Sequence, residues 1–402
     1  MNIKAFAVLV LCVFCAFLGV GFVSPFLPLY AEAMGASGFI LGMIFSSFTI
    51  ARAVVVPFMG PLSDRKGRRL FLLIGFGGYT LATLGYILAT APFHLMLTRA
   101  VQGATAGMML PTARAFIGDL CPKGEEGKWQ GYGNAAFFGG FAAGPVIGGL
   151  LAERYGYNAT FYAMGGFCLL SFLLALAFLP ESSSRQIGRG YPSTKELFRV
   201  GFTNRMFRGL ISYRIGFALA RGCFFTFLPL LVASSLNIGT GFIGILMTSH
   251  YMVLAVSQPF FGNLSDRLNR RALVITGAIL QIIFLILIPR GYIYWQLLVL
   301  LLFGGVAAGI ATAPMTALYT DEGRTHGMGT AMSLETMAMT IGMGIGPIIG
   351  GIITDIVNVA SVFYFSAGAQ LIGMSLFLMF TRHYKFNTEL ASKKASNIQL
   401  HD

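Results

Sequence analysis

The sequence predicts an all-α integral membrane protein, with twelve transmembrane helices arranged as two pseudo-symmetric six-helix bundles. Three observations carry that expectation. Of the 402 residues, 56% are hydrophobic and 11% are charged, which leaves too little polar surface for a water-soluble globule and makes the bilayer the solvent. The apolar residues fall into twelve runs of about 20 residues, the length a helix needs to cross the hydrocarbon layer. A constant offset of 202 residues superimposes motifs of one half on those of the other.

In chain order, the first six runs lie near 5–30, 38–59, 70–90, 93–116, 129–152 and 159–180. A polar segment follows, and six more runs lie near 207–232, 240–261, 272–289, 293–319, 328–353 and 359–381. The first run lacks a small-residue cleavage site and reads as a span rather than a leader. The expected organisation is a six-helix half over 1–180, a cytoplasmic linker over 181–205, a second half over 206–382 and a cytoplasmic tail over 383–402.

The offset is read directly from paired segments. Gly60–Arg69 is GPLSDRKGRR and Gly262–Arg271 is GNLSDRLNRR; Gly140–Gly149 is GFAAGPVIGG and Gly342–Gly351 is GMGIGPIIGG. Asp119 and Asp321, each closing the fourth span of its half, keep the same spacing. A duplicated six-helix unit is the simplest source of such register.

A net charge of +13 would suggest a nucleic-acid partner in a soluble protein, so the placement of the basic residues decides its meaning. Twenty-one of the 28 lie in loops on one side, two (Arg154 and Arg290) on the other, and five (Arg52, Arg99, Arg114, Arg214, Arg221) within spans. The positive-inside rule then places both termini in the cytoplasm and removes the reason to expect nucleic acid. The five cysteines show no zinc or disulfide pattern, and the Cys12/Cys15 pair lies in an apolar helix with no electropositive neighbour, which favours packing over redox chemistry. His94, His250, His326, His383 and His401 are scattered, and no G-x-x-x-x-G-K-[ST] loop occurs. An embedded enzyme or a nucleotide-driven pump is therefore disfavoured, and no cofactor or metal is expected.

Three motifs carry chemistry. In the loop after the second span, Gly60, Asp64, Arg65, Gly67, Arg68 and Arg69 spell G-x-x-x-D-R-x-G-R-R. The glycines permit a tight turn, and Asp64 can accept from the positive end of a neighbouring helix. Arg65 and Arg68 can pair with a carboxylate, for which Asp119 is the natural candidate. Asp266, Arg267, Arg270, Arg271 and Asp321 repeat the set, with Asn269 in place of the second glycine. Simple topology-setting charge is the bland alternative. The second motif is R-x-x-Q-G, formed by Arg99, Gln102 and Gly103 within the fourth span. An arginine there costs at least about 2.5–3.5 kcal/mol to insert, so it faces the interior unless it snorkels to the surface. The third is G-x8-G-x3-G-P-x2-G-G in the fifth span, formed by Gly131, Gly140, Gly144, Pro145, Gly148 and Gly149. Glycines at four-residue spacing allow close packing, and proline frees a carbonyl and bends the helix.

The first pattern matches the whole signature of the major facilitator superfamily, and the second and third resemble motifs of the same superfamily. The third resembles the antiporter motif of its drug and proton exchangers. The resemblance runs from about residue 5 to 382. It implies that the first motif latches an outward-open state and must break for the inward-open one. It also implies alternating access about a central site and export rather than uptake.

Other ionisable residues in the spans are few. Glu335 is the one carboxylate clearly within a span and the best candidate for a titrating group, although a structural salt bridge would explain it equally well. Arg221 lies at the depth of a central cavity. Arg52 reads as a cavity residue or a carboxylate's partner, while Arg114 and Arg214 lie close enough to helix ends to snorkel. His250 reads more readily as packing than as a relay. The leading expectation is a proton-coupled exporter of lipophilic or amphipathic small molecules, monomeric, surrounded by lipid in the plasma (inner) membrane. A permease for an organic anion or sugar-like solute, and a nontransporting sensor of the same fold, are the alternatives.

Overall fold

In the computed structural model, residues 3–122, 126–181, 199–201 and 203–382 are described. Most of the expected linker and the whole expected tail lie outside them. The first span is two pieces, α1 (Ile3–Val23) and α2 (Leu27–Ala33), broken around Pro25 and restarted with proline in the first turn of α2, where its missing N–H is tolerated. The rest of the first half is α3 (Gly38–Lys66), α4 (Arg68–Ile87), α5 (Pro92–Leu120), α6 (Glu126–Tyr155) and α7 (Tyr157–Phe178). The second half is α8 (Arg205–Leu236), α9 (Thr240–Arg267), α10 (Arg270–Leu287), α11 (Tyr294–His326), α12 (Met328–Ile356) and α13 (Val359–Thr381), with a 3₁₀ turn at Ile288–Arg290.

These make twelve membrane-length rods. Eleven are long and apolar enough to span by composition; the twelfth, α5, has the length but not the hydropathy. Its polar residues face inward, since Thr98, Arg99, Gln102, Thr105 and Thr112 are all buried. A span whose polar face is covered by neighbours does not need an apolar mean. Several helices also outrun their apolar segments at one end. α3, α9 and α11 continue to Lys66, Arg267 and His326, because backbone hydrogen bonding carries on through charged, helix-tolerant residues after the apolar run stops. The end of the bundle bearing these residues and both described chain ends is called the basic end below, and the other the far end.

Within each half the helices pack closely, α1 on α6 and α7 and α3 on α5 in the first, α8 on α13 and α9 on α11 in the second. Between halves the main contacts are α3 with α12 and α6 with α9. The apolar core runs continuously through both halves toward the far end. The basic-end part of the second half has its own separate core around Phe207, Tyr213, Met315, Tyr319 and Phe377. The halves thus meet at the far end and part toward the basic end.

Candidate functional site

At the basic end, two equivalent ion-pair clusters flank the seam. Gly67, with φ at 94°, makes the one-residue turn between α3 and α4 in a conformation that favours glycine. Arg68, 8% exposed, pairs with Asp64 at 3.0 Å, donates from Nε to Asp119 and reaches Asp119 Oδ1 from Nη2 at 3.3 Å. In the second half, Arg270 pairs with Asp266 at 2.9 Å and with Asp321. Asn269 stands where glycine might be expected because the turn here has φ of −63° and the Asn side chain caps α10, accepting from Arg271 and Ala272 N–H. Arg69 donates to Leu176 O at 2.6 Å and Arg271 to Leu378 O at 3.3 Å, again 202 residues apart. Arg65 and Arg267 are exposed, so Arg68 rather than Arg65 engages Asp119. The surroundings of Gly60 lie outside what is described.

Arg68 and Asp119 both belong to the first half and Arg270 and Asp321 both to the second, so each pair is formed within one half. Both pairs are formed here with the halves parted at this end. The two pairs differ in burial, the side chain of Asp119 being 17% exposed and that of Asp321 36%. Asp119→Asn should therefore lower the melting temperature more than Asp321→Asn. The expected losses are about 1–3 kcal/mol and under about 1 kcal/mol, since Asp64 remains beside Arg68 and exposed pairs contribute little. Parallel thermal-unfolding curves of the two variants check the order.

The far end holds contacts that no motif pointed to. Asp355, near the end of α12, accepts from Gly38 N–H at 2.6 Å and Phe39 N–H at 2.8 Å, the first turn of α3. Glu153, near the end of α6, accepts from Gly241 N–H at 2.8 Å in the first turn of α9. The two sets are again 202 residues apart. Each places a carboxylate of one half on the positive end of a helix in the other, where backbone donors lack intrahelical partners. Below them Ser46 donates to Gly344 O at 2.5 Å, and Thr248 accepts from Val146 N–H at 3.2 Å.

The antiporter-pattern helix packs both on its own half and on the other. Its glycine stripe faces α1 within its own half: a Cβ on Gly140 would meet Phe14 O at 2.5 Å, and one on Gly144 or Gly148 would strike Gly21 or Phe22. Only its far-end portion crosses the midline. Pro145 O lies against Gly244, and Gly149 against Thr240 and Gly241. Pro347 against Gly42, and Gly351 against Gly38, are the pseudo-symmetric counterparts. A Cβ on Gly131 would meet nothing within 4 Å among the described residues.

Between the two ends the seam is lined by guanidinium groups. Arg99 is 5% exposed, held between the rings of Phe45 and Phe48 at 5.0 and 5.7 Å. It donates to Gln102 Oε1 at 3.1 Å, which Tyr86 OH also reaches at 2.7 Å, while its Nε and Nη2 have no partner among the described residues. It does not snorkel. Arg214 does not snorkel either: it pairs with Glu335 at 2.8 Å, and Thr316 donates to the same carboxylate at 3.3 Å. Arg114, on the first half, lies near enough to Glu335 to interact electrostatically. Among the described residues Arg52 and Arg221 make no ion pair; each is half-buried beside a tyrosine, Tyr79 and Tyr251 respectively. His250 is buried, bonded through Nδ1 to Leu301 O at 3.0 Å and stacked on Phe284.

Two equivalent six-helix halves joined at one end about a charged seam define a multi-pass membrane transporter. The model of the Major Facilitator Superfamily matches residues 9–217 and again 210–399, and the chain belongs to that superfamily. It is 30% identical over 359 residues to an uncharacterized MFS-type transporter of Methanocaldococcus jannaschii, spanning 88% of this chain and 92% of the relative. It is 27% identical over 303 residues to the quinolone resistance protein NorA of Staphylococcus aureus, spanning 75% and 77%. Among solved structures, an inward-facing, unoccupied bacterial homolog of the human lysosomal transporter Spinster matches with a TM-score of 0.78 at 14% identity, over 94% of this chain and 96% of that one. The human organic anion transporter MFSD10 matches with a TM-score of 0.64 at 18% identity, over 93% and 99%.

Proposed function

We propose that this transporter exports lipophilic or amphipathic small molecules in exchange for protons, as a monomer in the cell membrane with its basic end in the cytoplasm. The observation that carries the reading is the Arg214–Glu335 pair at 2.8 Å in the seam. Glu335 is a carboxylate within a span, bonded to an arginine of its own half and facing Arg114 of the other. A proton arriving at Glu335 cancels its charge and releases Arg214, so the charge balance across the seam changes with each protonation. The likeness to a quinolone resistance protein supports export, as do closure of the far end and parting at the basic end, which present the seam to cytoplasmic cargo. The far-end contacts of Glu153 and Asp355 and the glycine–proline crossings beside them form the gate that opens for release. Arg99, Gln102, Arg52 and Arg221 supply the polar lining of the path.

Proteoliposomes with an imposed pH gradient and a lipophilic dye test this. Glu335→Gln should lower gradient-driven dye export at least tenfold while leaving dye counterflow without a gradient within about threefold of wild type, because binding and rocking persist when the proton site is lost. Gradient-driven export unchanged in Glu335→Gln would refute the role of Glu335. Absence of any dye flux in the wild type would refute export.

A further inference from the structure

We propose that the cargo is an amphipathic organic anion whose acidic group docks on Arg221 and Tyr251 in a pocket of the second half. This rests on the reading that a lipophilic small molecule passes through the seam, but not on its direction or on proton coupling.

The pocket encloses about 40 Å³, room for two or three waters at about 10–15 Å³ each, or for one carboxylate-sized group. Arg221 and Tyr251 line it together with Gln281, Gln370, Phe224 and His250. Its polar groups are unequally satisfied. Gln370 donates to Gln281 Oε1 at 2.6 Å and His250 is held by Leu301 O at 3.0 Å. Among the described residues the Tyr251 hydroxyl has no partner although the residue is 7% exposed, and Arg221 has neither a carboxylate nor a hydrogen-bond acceptor. A buried hydroxyl and a guanidinium that line one pocket, neither with an acceptor among the described residues, present two donors suited to an anionic group. A carboxylate or sulfonate oxygen would accept from both, whereas an ammonium would face a like charge with no acceptor to offset it.

The remainder of the ligand is defined by what adjoins Tyr251. Its ring lies 5.5 Å from Phe141 of the first half and 5.7 Å from Phe225, and Phe225 lies 6.5 Å from Phe45. These rings come from α3, α6, α8 and α9, two helices of each half. An aromatic tail attached to the docked acid would enter this cluster, where offset and edge-to-face ring contacts are favourable. Such a ligand would touch both halves at once, so its presence would bear on how they rock.

Three matched probes decide the matter on the purified full-length chain in detergent, by fluorescence titration and thermal shift: dansylglycine, its neutral amide, and a dansyl quaternary ammonium of similar size. Sodium sulfate alone is the fourth arm. Dansylglycine is expected to bind at least tenfold more tightly than either analogue and to raise the melting temperature. Arg221→Met should weaken it at least tenfold, Arg221→Lys should retain part of the affinity, and Tyr251→Phe should cost a few-fold. The ammonium probe should bind Arg221→Met no worse than wild type. Equal affinity of the wild type for the three dansyl probes overturns the proposal, as does unchanged dansylglycine binding in Arg221→Lys and Tyr251→Phe. If Arg221→Met does not fold, these two variants and the wild-type ranking still decide. Stabilisation by sulfate equal to that by dansylglycine would make this an inorganic-anion site and also overturn it. Selective anion binding without gradient-driven flux would sink the export reading alone; gradient-driven export of a cationic dye without anion binding would sink this one alone.

Discussion

A Glu153→Gln, Asp355→Asn double variant is expected to open at the far end. Both carboxylates accept from the first turn of a helix in the opposite half, at 2.6 to 2.8 Å, and both residues are exposed. An exposed anion at a helix N-terminus contributes about 0.3–1 kcal/mol, and its hydrogen bonds add to that. Losing both should shift the equilibrium between far-end-closed and far-end-open forms by roughly 1–3 kcal/mol, or about 5- to 150-fold. A single cysteine placed beside Gly42 and challenged with a membrane-impermeant maleimide from the far side reads this out, with faster labelling in the double variant. Each single variant should give about half the effect in free energy, since the two contacts are far apart in the chain and share no partner. The fold should survive, because neither carboxylate is buried. Labelling at the wild-type rate would mean that the glycine–proline crossings alone hold this end shut.

Valine at two glycines should produce opposite failures. At Gly244 an added Cβ would press on Pro145 O of the other half, so Gly244→Val should block far-end closure, abolish transport and leave the melting temperature within a few degrees of wild type. At Gly144 it would press on the backbone of Gly21 in the same half. Helices α1 and α6 belong to the same half and pack closely along that line, so Gly144→Val should destabilise the first half itself. The cost of overpacking a close backbone contact is about 1–3 kcal/mol or more, seen as a fall in melting temperature and in yield of folded protein. Gly131→Ala, with nothing within 4 Å, should do neither. Melting curves and dye counterflow for the three variants separate the outcomes. A Gly144→Val protein as stable as wild type but unable to transport would return the motif to a role at the midline.

The motifs were legible while their partners were not. The Arg68 and Asp119 pairing and its copy at Arg270 and Asp321 could be anticipated, because the residue types are complementary and the offset of 202 repeats them. That these pairs lie wholly within each half is legible too, since Arg68 and Asp119 fall in the first six spans and Arg270 and Asp321 in the second six. Glu335 was recognisable as a carboxylate in an apolar run, but its partner Arg214 is 121 residues earlier on another helix, and by sequence it read as a residue snorkelling from a helix end. Glu153 and Asp355 do not stand out in the sequence, since a carboxylate at the end of a span is ordinary unless one knows whose N-terminus lies beside it. The repeat contained a signal that would have found them, as they are related by the same offset.

Hydropathy, the placement of basic residues and the internal repeat determined the membrane, the twelve spans and the two halves, and the three motifs carry the resemblance to the superfamily. These follow from the chemistry of each residue and its spacing along the chain, which the bilayer reads locally. Only the tertiary structure decided which face each helix turns to which neighbour. On that depend the burial of Arg99, the pairing of Glu335, the glycine stripe of α6 lying on α1, and the pocket lined by Arg221 and Tyr251. In lipid an apolar face has no preferred partner by hydrophobicity alone, so close packing, hydrogen bonds and charge between distant segments make those choices.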